Sequence, residues 1–229
     1  MKTLYLIPAR GGSKGLPGKN IKELNGKALI NHSVDFARNF TDDNNICVST
    51  DSNEIIKCVE NNNLKVHFKR PSELASDTAS TIEVIKHAIS YYESKGIMYD
   101  NLILLQPTTP FRKIEDLTDM IAVWNNKIDL LVSVKETHDS PYFNLFEQNS
   151  EGYLMKSKKS DITRRQDSPK IFAFNGSIYI YNISSIKSES INKIKKYVMK
   201  NPFYSIDIDN ELDWMFTEFI SNKIENEEN

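Results

Sequence analysis

The alternation of short apolar runs with helical patterns over the first 135 residues is the feature that most constrains how this chain can fold. Five apolar runs predict strands, at residues 3–7, 45–49, 64–68, 101–105 and 129–134. Four segments carry apolar residues three and four positions apart and predict helices, at residues 28–40, 53–62, 81–92 and 114–124. Strands that alternate with helices predict an α/β fold, in which a mostly parallel sheet has helices on both faces.

The pattern changes after about Thr137. Residues 138–171 are polar, irregular and rich in lysine and arginine, so we interpret them as an inserted arm that could contain hairpin strands. A regular pattern resumes with predicted strands at residues 176–181 and 205–209 and a closing helix at residues 211–222. The sequence therefore predicts one α/β domain, formed by residues 1–137 and 172–229, with an arm at 138–171 inserted in it.

The composition excludes several classes of protein. The 229 residues include 29 Lys and Arg against 31 Asp and Glu, a formal net charge of −2, which gives no basic excess for binding nucleic acid. No apolar run is long enough to span a membrane, and the apolar stretch before Arg10 is too short for a signal peptide. Cys47 and Cys58 are too few for a disulfide scaffold or a zinc cluster. We expect a cytoplasmic protein that binds neither nucleic acid nor membranes.

A glycine-rich basic loop at residues 8–20 (PARGGSKGLPGKN) follows the first predicted strand directly. Its glycines allow a tight turn that brings main-chain N–H groups close to an anion. A triphosphate needs such donors together with cations, and the loop supplies Arg10, Lys14 and Lys19. The glycine spacing fits neither a P-loop nor the dinucleotide-binding fingerprint, which argues against an ATPase or an NAD-dependent dehydrogenase.

A pair of aspartates lies in the predicted strand at residues 205–209 (SIDID). Because alternate side chains of a strand share one face, Ile206 and Ile208 can enter the core while Asp207 and Asp209 point together away from it. Paired carboxylates suit Mg²⁺, which takes one or two carboxylates together with phosphate oxygens and water. Alone, such a pair is more often an exposed polar face; beside a triphosphate-type loop, a magnesium site is the better interpretation.

Two further segments are candidates for the same site. Residues 106–112 (QPTTPFR) close a buried strand with two prolines, which predicts a stiff polar loop at the carboxyl edge of the sheet. Arg164 and Arg165 shortly precede the segment at residues 175–179 (NGSIY). Adjacent arginines can bind a substrate carboxylate bidentately, but they also occur as solvated patches, and the sequence leaves both interpretations open.

Six motifs, taken in order, resemble those of the CMP-sialic acid synthetases, also called acylneuraminate cytidylyltransferases. They read IPARGGSKGLPGKN, RPSELASDTAST, QPTTPFR, RRQDSP, NGSIY and SIDID. The resemblance implies a Rossmann-like fold and a reaction between CTP and a nine-carbon keto-sugar acid such as an N-acylneuraminate. The anomeric hydroxyl of the sugar attacks the α-phosphate, CMP-sugar forms and pyrophosphate leaves. The resemblance also implies a homodimer, in which residues 138–171 form a dimerisation arm that reaches the partner's active site.

The resemblance further implies roles for single residues. It implies a triphosphate-binding loop with Arg10, Gly11, Gly12, Ser13 and Lys19, and a cytosine and ribose site with Asn20, Arg70, Ser80 and Thr81. It implies sugar-acid contacts from Gln106, Arg165 and Tyr179, with Asn175 beside them, and Mg²⁺ ligands at Asp207 and Asp209, where Mn²⁺ could substitute. The expected catalytic residues are Arg10, Lys19 and Asp209. The two cations offset the charge of CTP, and Asp209 or a metal-bound water is the hypothetical base.

One departure from the family concerns the sugar. In enzymes for sialic acid we expect a lysine two residues after the proline that follows the 129–134 strand, where this chain has Phe143 after Pro141. An aromatic side chain in place of a cation favours a less polar sugar end. Legionaminic and pseudaminic acids have such an end, because they carry a methyl group where sialic acid has a hydroxyl. The overall resemblance makes sialic acid the first expectation, and Phe143 makes a 9-deoxy relative the alternative.

Two other functions stay open. A CMP-Kdo synthetase or a sugar-1-phosphate nucleotidyltransferase also uses a glycine-rich basic loop after the first strand, although the last three motifs argue against both. The second function that stays open is that of a non-catalytic CTP-binding module. The intact loop and the intact aspartate pair argue against that module.

Overall fold

A six-stranded sheet forms the centre of the molecule. The computed structural model describes the backbone of residues 1–228 and the side chains of residues 1–224. In chain order the strands are β1 (Thr3–Pro8), β2 (Glu23–Leu24), β3 (Lys27–Ala28), β4 (Ile46–Ser49), β5 (Asn101–Leu105), β6 (Leu130–Thr137), β7 (Phe146–Gln148), β8 (Leu154–Lys156), β9 (Ile171–Asn182) and β10 (Ile194–Val198). The central sheet has the order β10-β6-β9-β5-β1-β4, while β2–β3 and β7–β8 form two small hairpins.

The central sheet is parallel except for one strand. β1 is parallel to β4 and β5, and β6 is parallel to β10. β9 lies between β5 and β6 and is antiparallel to both. The five parallel strands therefore end at one edge of the sheet, where β9 begins. This is the edge at which ligands bind in sheets of this kind.

Helices cover both faces of the sheet. They are α1 (Leu29–Arg38), α2 (Asn53–Asn61), α3 (Thr81–Ser94), α4 (Ile114–Val123), α5 (Ile183–Lys187) and α6 (Glu211–Glu228). Alternate residues of β1 belong to two separate buried clusters, with Tyr5 and Ile7 packed against α1, α2 and α4, and Leu4 and Leu6 against α3 and α5. The predicted α/β fold is confirmed. Within the described part of the chain, no helix is both long and apolar enough to cross a membrane.

The predicted strand at residues 64–68 is wrong, because this segment joins no sheet in the described structure. Its apolar residue Leu64 is buried, as the pattern suggested. Its neighbouring main-chain groups bind elsewhere, since the carbonyl of His67 accepts from the Tyr91 hydroxyl at 2.9 Å and the N–H of Arg70 donates to the Thr50 carbonyl at 2.7 Å. Burial produced the apolar pattern here without strand pairing.

The predicted strand at residues 205–209 is also wrong, and several elements were missed. A 3-10 turn spans Pro202–Ser205, after which the N–H of Ile208 donates to the Thr108 carbonyl at 2.9 Å without forming a ladder. The missed elements include α5, which is only five residues long, the two-residue strands β2 and β3, and β10. β10 lies at the edge of the sheet and exposes Lys195 and Lys196, so it lacks the apolar run of a buried strand.

The chain between β6 and β9 contains the β7–β8 hairpin and a short 3-10 turn at Arg165–Asp167. In the hairpin, Phe146 pairs with Lys156 and Gln148 pairs with Leu154. Neither hairpin strand has a buried residue. We call residues 138–171 the arm, and the remainder of the chain the α/β domain.

Candidate active site

The glycine-rich loop leaves β1 at the carboxyl edge and ends in a 3-10 turn at Lys19–Ile21. The N–H of Gly11 donates to Asp51 Oδ1 at 2.9 Å, and the buried Asn20 side chain donates to the Arg10 carbonyl at 3.0 Å. A Cβ at Gly11 would lie 2.9 Å from Ser52 Cβ, so this position admits little more than glycine. These contacts fix the backbone of the loop without using its cationic side chains.

The cations of the loop are held by weak, displaceable partners. Arg10 Nη1 and Lys14 Nζ lie 2.7 and 2.5 Å from the two oxygens of Asp77, and all three side chains are substantially exposed. The two cations hold the pKa of Asp77 below its usual value. Exposed ion pairs of this kind contribute little because solvent screens them, so a polyanion can compete with Asp77 for both cations.

The third cation joins the loop to the aspartate segment. Lys19 Nζ donates to the Ile208 carbonyl and lies 3.6 Å from Asp209 Oδ1. A Cβ at Gly15 would overlap the Asp209 carbonyl oxygen, so the two segments are in direct contact there. Ile208 packs in a buried cluster that includes Leu16 of the loop and Trp214 of α6. Packing therefore places the cations next to the carboxylates.

The two aspartates flank Ile208 and are both exposed, so the predicted alternation holds although the segment is not a strand. Asp207 Oδ2 would lie 3.2 Å from a Cβ at Gly176, and Gln106 Oε1 would lie 3.0 Å from it. Gly176 has φ +71°, a conformation that favours glycine, and it lies by a register shift between β6 and β9. Gln106, Asp207 and Gly176 therefore meet at the carboxyl edge.

The donor set of the two aspartates fits a cation that is shared with a ligand. Within residues 1–224, no group of three or more His, Cys, Asp or Glu side chains is arranged to enclose a metal. Mg²⁺ seldom requires such a cage, because one or two carboxylates complete its shell with phosphate oxygens and water. Asp207 and Asp209 suit a Mg²⁺ that arrives with a triphosphate.

Three cavities are lined by Arg10. The smallest, of about 190 Å³, lies between the loop and the start of α2, and the other two face the aspartates and the 70–84 segment. One, of about 220 Å³, is lined by the loop together with Thr108 and Asp209. The other, of about 330 Å³, is lined by residues from β1, the 70–84 segment and β5: Pro8, Arg10, Arg70, Leu74, Ser76, Asp77, Ala79, Thr81, Val84 and Gln106. A larger, open cavity of about 600 Å³ beside Cys58 contains none of the predicted site residues. The cavities of about 220 and 330 Å³ form one site, because Pro8 and Arg10 line both.

Of the predicted cytosine and ribose residues, Arg70 and Thr81 line the cavity of about 330 Å³, Asn20 lines that of about 220 Å³, and Ser80 lines neither. All but Thr81 are engaged within the protein, Asn20 through its bond to the Arg10 carbonyl. Arg70 is 6% exposed and donates through Nε to Ser49 Oγ at 3.0 Å and through Nη2 to the Ser49 carbonyl. Burial lowers the pKa of Arg70, and the nearby Asp51 opposes that shift. Ser80 caps α3 in a reciprocal arrangement with Glu83, which leaves Thr81 as the more available hydroxyl.

The predicted sugar-binding residues separate into three locations. Tyr179 is half-buried on β9, and its pKa is raised by burial and by the neighbouring Asp207. Asn175 is 2% exposed; its Oδ1 accepts from Ser133 Oγ at 2.7 Å and its Nδ2 donates to Ser205 Oγ at 2.9 Å, so it supports the site from behind. Arg165 is exposed on the arm and lines neither of the two cavities.

Sequence reasoning missed three residues that shape the site. Asp51 holds the loop, Asp77 binds two of its cations, and Arg112 donates to the carbonyls of Gln106 and Ser177. Each follows a predicted strand, at positions where ligand-binding residues are expected. That position was the available signal, but it does not indicate which distant group each side chain binds.

Comparison with known proteins agrees with this geometry. The sequence profile described as cytidylyltransferase matches residues 4–214. The chain is 34% identical to CMP-N,N'-diacetyllegionaminic acid synthase of Legionella pneumophila, over 95% of each chain. It is 34% identical to N-acylneuraminate cytidylyltransferase of Streptococcus agalactiae serotype V, over 94% of this chain and 52% of that protein.

A solved structure supports the fold. CMP:2-keto-3-deoxy-manno-octonic acid synthetase in complex with CTP superposes with a TM-score of 0.69 at 17% identity, covering 97% of this chain and 99% of the other. The resemblance found from the motifs is confirmed by the profile and the relatives. The chain belongs to the cytidylyltransferase family.

Proposed function

We propose that this protein transfers CMP from CTP to the anomeric hydroxyl of a nonulosonic acid, a nine-carbon keto-sugar acid, and releases pyrophosphate. The observation that carries the proposal is the direct contact between the cationic loop and the Asp207–Asp209 segment at the carboxyl edge, in a chain of the cytidylyltransferase family. A loop of cations next to paired carboxylates suits a triphosphate that brings a divalent cation.

CTP would occupy the two joined cavities. The triphosphate would lie along the loop, where Lys19 and Arg10 offset its charge and Arg10 leaves Asp77 to do so. The cytosine and ribose would lie in the cavity lined by Arg70 and Thr81. Arg10 lines both cavities, which supports a ligand that is anionic at one end and polar and uncharged at the other.

Asp207 and Asp209 would hold the Mg²⁺ that accompanies CTP, and Mn²⁺ could substitute. When bound, the cation polarises the α-phosphate and helps to deprotonate the attacking hydroxyl. The residues of this chain position the reactants and stabilise charge. The sugar oxygen forms a bond to the α-phosphorus while the bond to the bridging oxygen breaks. The electron pair leaves with pyrophosphate beside Lys19 and Arg10, and Asp209 is the proposed acceptor of the hydroxyl proton.

The sugar acid would bind on the side of Gln106 and Tyr179, with its carboxylate directed to an arginine such as Arg165. Two substrates are supported by specific observations. The Streptococcus agalactiae relative is named for N-acylneuraminate. The Legionella pneumophila relative is named for CMP-N,N'-diacetyllegionaminic acid, and 95% of that protein is matched. Phe143 in the arm is half-buried and favours the less polar, 9-deoxy sugar.

The test is pyrophosphate release from CTP and Mg²⁺, with sialic, diacetyllegionaminic and pseudaminic acids and Kdo offered in parallel. Release with one nine-carbon acid is the expected result, and UTP in place of CTP is the matched nucleotide control. Release with Kdo alone would instead favour a CMP-Kdo synthetase. Tight CTP binding without release for any acid would contradict the proposal and favour a non-catalytic module.

We further propose that the protein is a homodimer in which the arm of one protomer reaches the partner's site. The position of Arg165 supports this, because within one chain Arg165 lies away from both cavities. The exposed apolar residues of the hairpin support it as well. The cytoplasmic location expected from the composition stays a prediction, which cell fractionation can test.

A further inference from the structure

We propose that Arg112 is a positioning residue for the sugar-acid side of the site. It touches neither cavity, but it binds the main chain on both sides of the point where Gln106, Asp207 and Gly176 meet. This inference rests on the proposed function, which assigns Gln106 to the sugar acid and the adjacent Asp207 to the Mg²⁺ that both substrates share.

The guanidinium of Arg112 joins three separate elements. Its Nη2 donates to the carbonyl of Gln106 at the end of β5, and Nε and Nη2 donate to the carbonyl of Ser177 in β9, at 3.3 Å each. Its Nη1 donates to Ser33 Oγ in α1 at 3.0 Å. Ser33 and Ser177 are both fully buried. A planar group with five N–H donors can make these bonds at once, whereas an ammonium group cannot.

Arg112 carries its charge without a carboxylate partner. Within residues 1–224, no Asp or Glu oxygen lies in ion-pair distance of its guanidinium. The surroundings are carbonyl oxygens, one hydroxyl and the ring of Phe36, 5.7 Å from the guanidinium carbon. Burial lowers the pKa of Arg112 to about 9. A desolvated cation is costly unless its hydrogen bonds are satisfied, so these bonds are strong constraints on the two carbonyls.

The two carbonyls lie next to residues that face the site. Gln106 is itself a predicted sugar contact, and Ser177 follows Gly176 directly. A Cβ at Gly176 would lie within 3.2 Å of the side chains of Gln106, Thr109 and Asp207, so all three pack closely around this backbone. The glycine-rich loop is held separately, by contacts with Asp51, Asn20 and Ile208. Loss of Arg112 therefore disturbs Gln106 and Asp207 more than the glycine-rich loop, so we expect kcat and the KM for the sugar acid to change more than the KM for CTP.

The experiment compares Arg112→Met, Arg112→Lys and Ser33→Ala in the full-length protein. Steady-state kinetics would give kcat, the KM for CTP and the KM for the accepted sugar acid, and thermal melting would report folding. Misplacement of reacting groups by about 1 Å can lower the rate ~10²-fold. We expect a decrease in kcat/KM for the sugar acid of that order in Arg112→Met, a smaller decrease in Arg112→Lys, and less than about threefold change in the KM for CTP.

Ser33→Ala is the matched control, because it removes one bond to Arg112 and leaves both carbonyl bonds intact. It should keep wild-type kinetics even if its melting temperature falls. Equal increases in both KM values, or kinetic losses in Ser33→Ala as large as in Arg112→Lys, would overturn the inference in favour of a purely structural role. If Arg112→Met does not fold, Arg112→Lys against Ser33→Ala still decides. Absence of turnover in the wild-type protein would overturn the proposed function instead.

Discussion

The α/β domain and the arm differ in where they keep their apolar side chains. In the domain, every residue of β5 is buried, and the strands pack against helices on both faces. In the arm, neither β7 nor β8 has a buried residue, and Tyr153 and Leu154 are 68% and 70% exposed. The domain therefore has its own core, whereas the arm has apolar surface that a second molecule could cover.

The same division runs through the candidate site. The cationic loop, the two aspartates, Gln106 and Tyr179 all belong to the α/β domain, and the fold brings them to one edge. Arg165 belongs to the arm and lies apart from them. On the proposed function, the domain alone binds CTP, while recognition of the sugar carboxylate needs the arm of a second copy. The predictions below separate these two contributions.

The largest expected effect is on chemistry that resides in the domain. Asp209→Asn should lower kcat by about 10²–10³-fold, because it removes a charged ligand and the proposed proton acceptor next to Lys19. Its side chain is 79% exposed, so the folded protein and its association state should not change. Turnover, melting temperature and light scattering would be measured together.

Glu211→Gln is the matched control for this variant. Glu211 is two residues further on, exposed, and paired with Lys22 at 3.1 Å rather than with the loop lysine. It should retain wild-type turnover. Near-normal activity of Asp209→Asn would contradict the role of Asp209. Equal losses of turnover in both variants would mean that removing any negative charge near the start of α6 lowers activity, so that Asp209 has no specific role.

The next effect concerns the contact between the loop and the aspartate segment. Gly15→Ala would force a methyl group against the Asp209 carbonyl, where only backbone can yield. Overpacking of this kind costs about 1–3 kcal/mol, which corresponds to roughly 2–4 °C in melting temperature for each kcal/mol. Gly12→Ala is the matched control, since nothing lies within 4 Å of a Cβ there. Equal melting temperatures for the two variants would show that the contact does not constrain the loop.

These contacts mark the limit of what the sequence could predict. β1 and β5 were found because strands buried on both faces leave continuous apolar runs. The segments at 64–68 and 205–209 alternate polar and apolar residues as a half-buried strand would, but they lack strand partners, and strand pairing depends on residues far away in the chain. Likewise, Asp77 binds Arg10 across 67 positions, and no local spacing could reveal that pair. The predicted site residues were found largely because their motifs resemble a family.

A smaller effect should come from the arm. Leu154→Asp places a charge on exposed apolar surface and should leave the fold of one chain intact, because surface substitutions usually change stability by less than about 0.5 kcal/mol. If the arm covers a second copy, the dimer dissociation constant should rise at least about tenfold, equivalent to about 1.4 kcal/mol. Sedimentation velocity over a concentration series would measure this.

A leucine-to-aspartate substitution in the α/β domain is the matched control for Leu154→Asp. Leu212 in α6 is 74% exposed, close to the value for Leu154. Leu212→Asp should leave the association state unchanged. Dissociation of Leu212→Asp with Leu154→Asp still dimeric would place the interface on α6 instead of the arm.

The smallest effect is a pH dependence of stability that originates in the domain. His32 packs within α1 with its Nε2 3.1 Å from the Leu24 carbonyl, and burial lowers its pKa from 6.5. Since the folded protein holds His32 neutral, the unfolded chain binds more protons once the pH falls toward 6.5 and below. Stability should therefore be highest above pH 7 and decrease as the pH is lowered to 5.5.

His32→Gln keeps a donor for the carbonyl but cannot titrate, so its melting temperature should vary less over this range. The carboxylates with lowered pKa, such as Asp35 and Asp43, titrate below this window. Burial also lowers the pKa of His67 and His87, so both proteins keep a part of the slope in common and the difference between them reports His32. Identical pH slopes for the two proteins would mean that His32 is not the group responsible, and a melting temperature that rises on acidification would contradict the sign.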